Sequence, residues 1–287
     1  MPKYAVIIFA AIVVIVVVIF LVFTAFEAFK KQKTLVVCIM ITGKNACREH
    51  FAKRAIDNFY EQDYPNKRLV IINHSPDYRV LQSDKSDMIY EFHVPKTPPT
   101  TLGDLRNIAL AMVPPDAIWT TWDDDDYRAP DYLSIMLNAL NKTNADVLAF
   151  KHRTEYNINN GFVWNIHLET GFPLLFAKQD MRVLYKRQDT MEDTDMLSNY
   201  RKLGKKITIH DNDPRLYIRL VHGSNTSLYV DRNKEHVAST TSAPSTASPS
   251  FPYSENTVSE SESERVQNLV NNFYSEGIAC SKSSTYN

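Results

Sequence analysis

The chain has 287 residues, with 32 Lys and Arg against 33 Asp and Glu, a net charge of −1, and 44% hydrophobic residues. That length suits one ordinary domain with appendages, and the balanced charge argues against nucleic acid as a partner, since coating it takes a basic excess. Seven glycines exclude collagen-like and Gly-rich classes, and three cysteines (Cys38, Cys47, Cys280) with no C-x-x-C pair argue against a disulfide scaffold or a cysteine-based zinc site.

The averages hide sharp local differences. Ala5 to Phe26 is a run of 22 residues with Thr24 as its one polar member. As a helix it would span roughly 33 Å, enough for a bilayer core of about 30 Å. A signal peptide has an apolar stretch of about 7–15 residues and a small-residue cleavage site. Here the run is longer, and Phe23 and Phe26 crowd the cleavage points. The expectation is a retained transmembrane helix over residues 5–26 and a basic stem over 27–33, making a single-pass membrane protein. Lys30, Lys31 and Lys33 follow the span while Lys3 precedes it, so the positive-inside rule favours a cytoplasmic body. Sequons at Asn73, Asn141 and Asn225 would matter only in a secretory lumen.

The body, residues 34–230, alternates strand and helix signals. Leu35–Ile41 is a continuous apolar run, as in a strand buried on both faces. A helix follows over Cys47–Glu61, with Phe51, Ala55 and Phe59 four apart, and Pro65 closes it. Further strands are predicted at Arg68–Asn73, Met88–Val94, Ala117–Trp122 and Ala145–Phe150, with helices at Leu102–Val113 and Tyr132–Leu140 between them. Hairpin-like strands surround Asn160-Gly161, and a helix over Glu192–Leu203 precedes strands at 206–210 and 216–221. Alternation with short connections predicts an α/β fold with a mostly parallel central sheet flanked by helices. Ser239–Glu264 differs: 13 of its 26 residues are Ser or Thr. Such a segment buries too little to offset its ordering entropy, so 231–287 reads as a disordered tail, with a weak helical pattern after Arg265.

Chemistry concentrates where the Ala117–Trp122 strand runs into Asp123-Asp-Asp-Asp126. Ligands of open α/β sheets sit beyond the carboxyl ends of strands, and adjacent carboxylates repel unless a cation sits among them. Hard oxygen ligands suit Mg²⁺ or Mn²⁺. An EF-hand is excluded, because Arg128 stands where its glycine belongs and Ser134 where its glutamate belongs.

Four parts in order make this body resemble the family 2 glycosyltransferases of GT-A fold. They are the strand–helix–strand from Val37 to Asn73, Leu102-Gly-Asp-Leu-Arg-Asn107, the acidic run, and Glu192-Asp193. The resemblance implies a hexosyltransferase-type enzyme, with a nucleoside-diphosphate sugar as donor and a glycan, lipid or protein hydroxyl as acceptor. It implies donor contacts from Thr42, Lys44, Asn73, Arg106, Asp123 and Asp124. A metal, Mn²⁺ or Mg²⁺, would be held by Asp125 and Asp123, with His222 as a late ligand. Asp193 would be the base that removes the acceptor proton, with Glu192 shaping the acceptor site, and one base fits inversion. Two departures bear on donor choice: Asn73-His-Ser75 replaces the customary acidic strand end, and Thr42-Gly-Lys-Asn45 replaces Thr-Tyr-Asn-Arg. Asp189-x-x-Glu192 and Thr190-x-x-Asp193 also match a capping box, a purely structural use of the same acids. Lys151, His152 and Arg153, after a strand end, could serve phosphates or acceptor. Two rival readings are a metal-dependent nucleotidyl or phosphoryl transferase and a non-catalytic, membrane-anchored binding protein with a degenerate transferase domain.

Overall fold

The computed structural model describes residues 13–21, 34–43, 48–81, 87–95, 97, 100–222 and 253–274. The chain divides into two units, residues 1–35 and 36–287. In the first, residues 13–21 are helical and every one is exposed. Among the described residues no helix is long and apolar enough to cross a membrane. The rest of the 5–26 span and the 27–33 stem lie outside the described residues.

The second unit is built on one mixed sheet. Strands β1 (Val36–Thr42), β2 (Lys67–Asn73), β3 (Ile89–His93) and β4 (Ile118–Thr121) pair in parallel in the order β3-β2-β1-β4. The sheet continues through β7 (Val163–Lys178), β6 (Val147–Asn157), β9 (Tyr217–Val221) and the two-residue β5 (Tyr127–Arg128). β8 (Ile207–His210) and β9 lie parallel to successive stretches of β6. β7 runs against both β4 and β6, and β5 runs against β9. The predicted parallel sheet therefore holds for the first half, while the second is a hairpin-rich mixture.

Helices α1 (Arg48–Tyr60), α2 (Leu102–Leu110), α3 (Tyr132–Thr143) and α4 (Glu192–Lys202) complete this unit's body. α1 buries Phe51, Ala52, Ala55, Ile56 and Phe59, a stripe at three- and four-residue spacing. Thr101 and Asp104 form a reciprocal capping box at the start of α2. α3 ends on Asn144 in the left-handed region (φ 48°), one of the few residue types that tolerates it. The core is continuous from β1 and β2 to α3 and β6, with Trp122, Tyr132, Phe150 and Phe176 among its largest side chains.

The tail expectation is corrected for residues 253–274. β10 (Tyr253–Thr257) pairs with the open edge of β7, and α5 (Glu260–Tyr274) buries Val266 and Val270. They join Phe51, Tyr127, Tyr156, Val163, Ile218 and Leu220 in a second apolar cluster. Ser and Thr do not oppose a strand whose stability comes from ladder bonds to a neighbour already in place. The other tail residues lie outside the described ones.

Candidate active site

The parallel strands deliver Thr42, Asn73 and the acidic run to one edge of the sheet, in the register Thr42↔Asn73 and Ile39↔Thr121. The Trp122 N–H donates to Ile39 O at 2.8 Å, so the chain leaves the ladder just before Asp123. Gly43 follows β1 at φ 105°, and a Cβ there would lie 2.3 Å from Ser75 N. The close approach of the two strand ends, with its left-handed backbone, admits glycine alone.

The four aspartates do four different things. Asp123 is the most open, its side chain 31% exposed, and accepts from Arg106 Nη2 at 3.2 Å. Asp124 and Asp125 share one guanidinium: Arg48 Nη1 lies 2.7 Å from Asp124 Oδ1 and 2.6 Å from Asp125 Oδ2. Asp125 also meets His222 Nε2 at 3.0 Å. Asp126 is a latch, accepting from the Leu220 N–H at 3.0 Å and from the Tyr217 hydroxyl. That latch explains how His222 arrives. β5 extends the acidic run and pairs antiparallel with β9, so the residue just past β9 folds back beside Asp125. The His222 ring then stacks on Phe51, with centroids 4.7 Å apart and planes at 18°.

Burial makes these charges unequal. It pushes Asp124 up to about 7, with Arg48 opposing and Asp125 adding to the rise. Asp126 rises to about 7 through burial and its two acidic neighbours. Asp125 is buried too, yet Arg48 and His222 hold it well below the usual carboxylate range. Asp125 is thus the fixed anion of the run.

Arg106 connects this edge to α4. Its Nη1 lies 2.9 Å from Glu192 Oε1, off the line for a hydrogen bond, and its guanidinium covers Tyr185 at 5.3 Å. Asn107 pins that tyrosine's backbone at both ends, with bonds of 2.8 Å and 2.9 Å. Burial pushes Glu192 up to about 7, against Arg106. Burial likewise raises Asp193, again with Arg106 opposing. A carboxylate raised toward neutrality is a better proton acceptor than a free one.

The capping-box alternative for these acids is not realised. α4 begins after Met191, which sits at φ 64° with no side-chain cap. Asp189 turns away and accepts from the Leu102 N–H at 2.9 Å, serving α2 instead. A methionine in the left-handed region costs about 1–3 kcal/mol, and such strain gathers at functional sites.

Three of the expected donor contacts, Asn73, Asp124 and Thr42, are buried. Asn73 is fully buried, and both its amide protons are spent, on Tyr78 O at 2.9 Å and Glu91 Oε1 at 2.7 Å. Its oxygen accepts from Ser75 N at 2.9 Å, so Asn73 organises the loop after β2. Asp124 is buried against Arg48. Thr42 is also buried, its hydroxyl 3.1 Å from the Tyr78 hydroxyl. Lys44 lies outside the described residues. Lys151, His152 and Arg153 do not follow a strand end but lie within β6. Arg48 escaped sequence reading, although a charged residue in register with the apolar stripe of α1 was its signal.

Comparison with known proteins decides the family. Glycosyl transferase family 2 matches residues 38–214, more than half of the 287. The chain belongs to the family 2 glycosyltransferases. This glycosyltransferase has the GT-A fold, and the acidic run, Arg106 and Glu192-Asp193 fall inside the matched span. Among solved structures it is similar to S. aureus TarS 1-349 in complex with UDP-GlcNAc, at TM-score 0.50 and 15% identity, over 69% of this chain and 62% of that one. TarS 1-349 in complex with UDP gives TM-score 0.50 and 16% identity, over 66% and 61%. The mannosyltransferase PcManGT from Pyrobaculum calidifontis, in complex with GDP-Man and Mn²⁺, gives 0.49 and 15%, over 67% and 57%. The glycosyltransferase thus spans about three fifths of the TarS 1-349 chains it matches. No curated protein matches it.

Proposed function

We propose that this glycosyltransferase moves a sugar from a nucleoside-diphosphate sugar to an acceptor hydroxyl with inversion, using a divalent cation. The carrying observation is Arg106, whose guanidinium joins Asp123 at the donor edge to Glu192 at the acceptor helix. One rigid cation thus sets the distance between the donor end and the acids that would meet the acceptor. Asp123 would orient the donor's ribose or sugar, and Asp193, raised by burial, would take the acceptor proton as the hydroxyl attacks. One base suffices for a direct, inverting displacement.

The donor set fits a divalent cation. Asp125 and His222 face one another at 3.0 Å, giving one anionic oxygen and one imidazole nitrogen, a pair suited to Mn²⁺. Among the described residues no group of three or more such ligands gathers. A cation on this pair would have Asp125 and His222 as its protein ligands. Bound there, the cation would supply charge stabilisation to the leaving nucleoside diphosphate. Arg48 keeps Asp125 ionised and Phe51 orients the His222 ring.

The nucleotidyl-transfer rival needs carboxylates open to two metals. Asp124 and Asp126 are instead consumed by Arg48 and by Tyr217 with Leu220. The deciding experiment incubates the protein with a panel of nucleotide sugars, Mn²⁺ and candidate acceptors, measuring released nucleoside diphosphate and the product's anomeric configuration. Pyrophosphate release, or a retained configuration, would overturn the reading.

Membrane anchoring by residues 5–26, with the body in the cytoplasm, belongs to the same proposal. The exposure of Val13 through Leu21, each between 44% and 64%, supports it, since such a surface seeks an apolar environment. Asn73 supports the orientation: a glycan on this fully buried amide would block folding, so a lumen is a poor place for the chain. Protease protection in intact vesicles tests it, and a protected body would refute the cytoplasmic placement.

A further inference from the structure

Outside the acidic cleft, the hairpin of β6 and β7 holds a second cluster. His152 and His167 are directly opposed in the strand register. Their rings lie 4.7 Å apart between centroids, and the two Nδ1 atoms are 3.3 Å apart. Each Nε2 is held by a carboxylate: His152 by Asp211 at 2.7 Å and His167 by Glu169 at 2.6 Å. Lys151 reaches the other oxygen of Glu169 at 3.4 Å.

The chemistry of this arrangement is unusual. Each Nε2 faces a carboxylate oxygen, the accepting side of a hydrogen bond. A carboxylate oxygen accepts, so Nε2 of each ring is the donor and Nδ1 is the atom left to ligate. The two Nδ1 atoms face each other at 3.3 Å. That separation suits a shared cation. Zn–N bonds of about 2.0–2.1 Å at a tetrahedral angle place two ligand nitrogens about 3.3 Å apart. Carboxylates on the far nitrogens are the usual outer partners of metal-bound histidines, fixing tautomer and ring direction.

The scaffold is built for the pose. The β6–β7 register shifts between Phe150 and His152, a bulge that re-aims the side chain. Asn212 takes up the ladder groups so freed: its Oδ1 accepts from the Lys151 and His152 N–H groups at 3.1 Å each, and its Nδ2 donates to His152 O at 2.8 Å. The two imidazoles keep about a quarter of their surface exposed, which leaves an entry path.

We propose that His152 and His167 bind a transition-metal cation of the Zn²⁺ type through their Nδ1 atoms, stapling β6 to β7, with water completing the coordination. The site is independent of the donor cation at Asp125 and does not rest on the transferase mechanism.

The test titrates chelator-treated protein with Zn²⁺ against a chromophoric competitor and repeats the thermal unfolding with and without Zn²⁺. Wild type and Asp125→Asn should both bind Zn²⁺ at this site and melt higher with it. His167→Gln should weaken binding at least tenfold and lose the thermal shift. Glu169→Gln, at an exposed position that folding does not require, should weaken it roughly 10–100-fold by releasing the ring. It decides the matter if His167→Gln fails to fold. Equal affinity in wild type, His167→Gln and Glu169→Gln would overturn the site. So would binding lost in Asp125→Asn alone, or no binding by wild type.

Discussion

His222 Nε2 lies 3.0 Å from Asp125 Oδ2, although 97 positions separate them in the chain. The contact depends on Asp126 latching β9 and on the β5–β9 pairing, so the acidic run both offers the anion and recruits its imidazole partner. His222→Ala and Asp125→Asn should each lower nucleoside-diphosphate release by about 100-fold or more, in line with the loss of one preorganised charge contact. Asp125→Asn keeps the side chain's shape but leaves the buried Arg48 with one anion fewer, so it should also unfold more readily than wild type. Turnover in Asp125→Asn equal to wild type would remove the cation site from the mechanism.

Asp193 and Glu192 are neighbours in sequence with separable duties. If Asp193 is the base, Asp193→Asn should cut kcat by about 10²–10⁴ while leaving donor affinity alone. Glu192→Gln should change acceptor KM more than kcat, because Glu192 is turned to Arg106. Steady-state kinetics with both substrates varied separates the two, and an unchanged kcat in Asp193→Asn would reassign the base.

Glu192 also carries a pH signature. Its folded value, about 7, stands above the ordinary 4.5, so between these limits the folded state holds more protons than the unfolded. Stability is therefore lost as pH rises from about 4.5 to 7, with a ceiling of roughly 3 kcal/mol. Glu192→Gln abolishes this titration, so the variant should gain on wild type as pH rises through that window. Melting curves of both proteins at pH 4.5 to 8 check it. A constant gap would place the perturbation elsewhere.

Much of this was legible from the sequence because the signals are local. The β1, β2 and β4 runs end in polar residues, α1 and α3 carry helical stripes, and the acidic run sits on a strand end. The illegible parts depend on distant partners. Arg48 looks like an ordinary first-turn residue until Asp124 and Asp125, 76 and 77 positions away, close on it. Asn73 reads as a ligand-facing strand end, yet Glu91, 18 positions on, claims its amide. β10 has no strand pattern of its own, because the edge of β7 supplies the order. Composition can forecast how much apolar surface a segment buries, but not whether a neighbour already offers a row of unpaired backbone groups.

Arg48 is the cheapest way to break the site without touching its ligands. Its guanidinium is buried between two carboxylates, and removing one partner of a buried ion pair costs about 3–5 kcal/mol because the other charge is left uncompensated. Arg48→Met should therefore destabilise the body by about that amount in urea unfolding, and Asp124, already at about 7, should take up a proton in response. A loss under about 1 kcal/mol would mean the pair contributes no more than an exposed one.

The C-terminal helix gives the last test. Val270 is fully buried, in the cluster that contains Phe51, and Phe51 in turn stacks on His222. Val270→Ala removes two methyl groups and should cost about 2 kcal/mol, within the range for burying such a side chain. Val270→Asp adds a buried charge and should go further, detaching α5 while the sheet stays folded. If α5 holds the Phe51 surface in place, Val270→Asp should also raise the Mn²⁺ concentration needed for half-maximal turnover, a change that simple instability at the chain's end would not produce. An unchanged Mn²⁺ requirement in a folded Val270→Asp protein would confine α5 to stability alone.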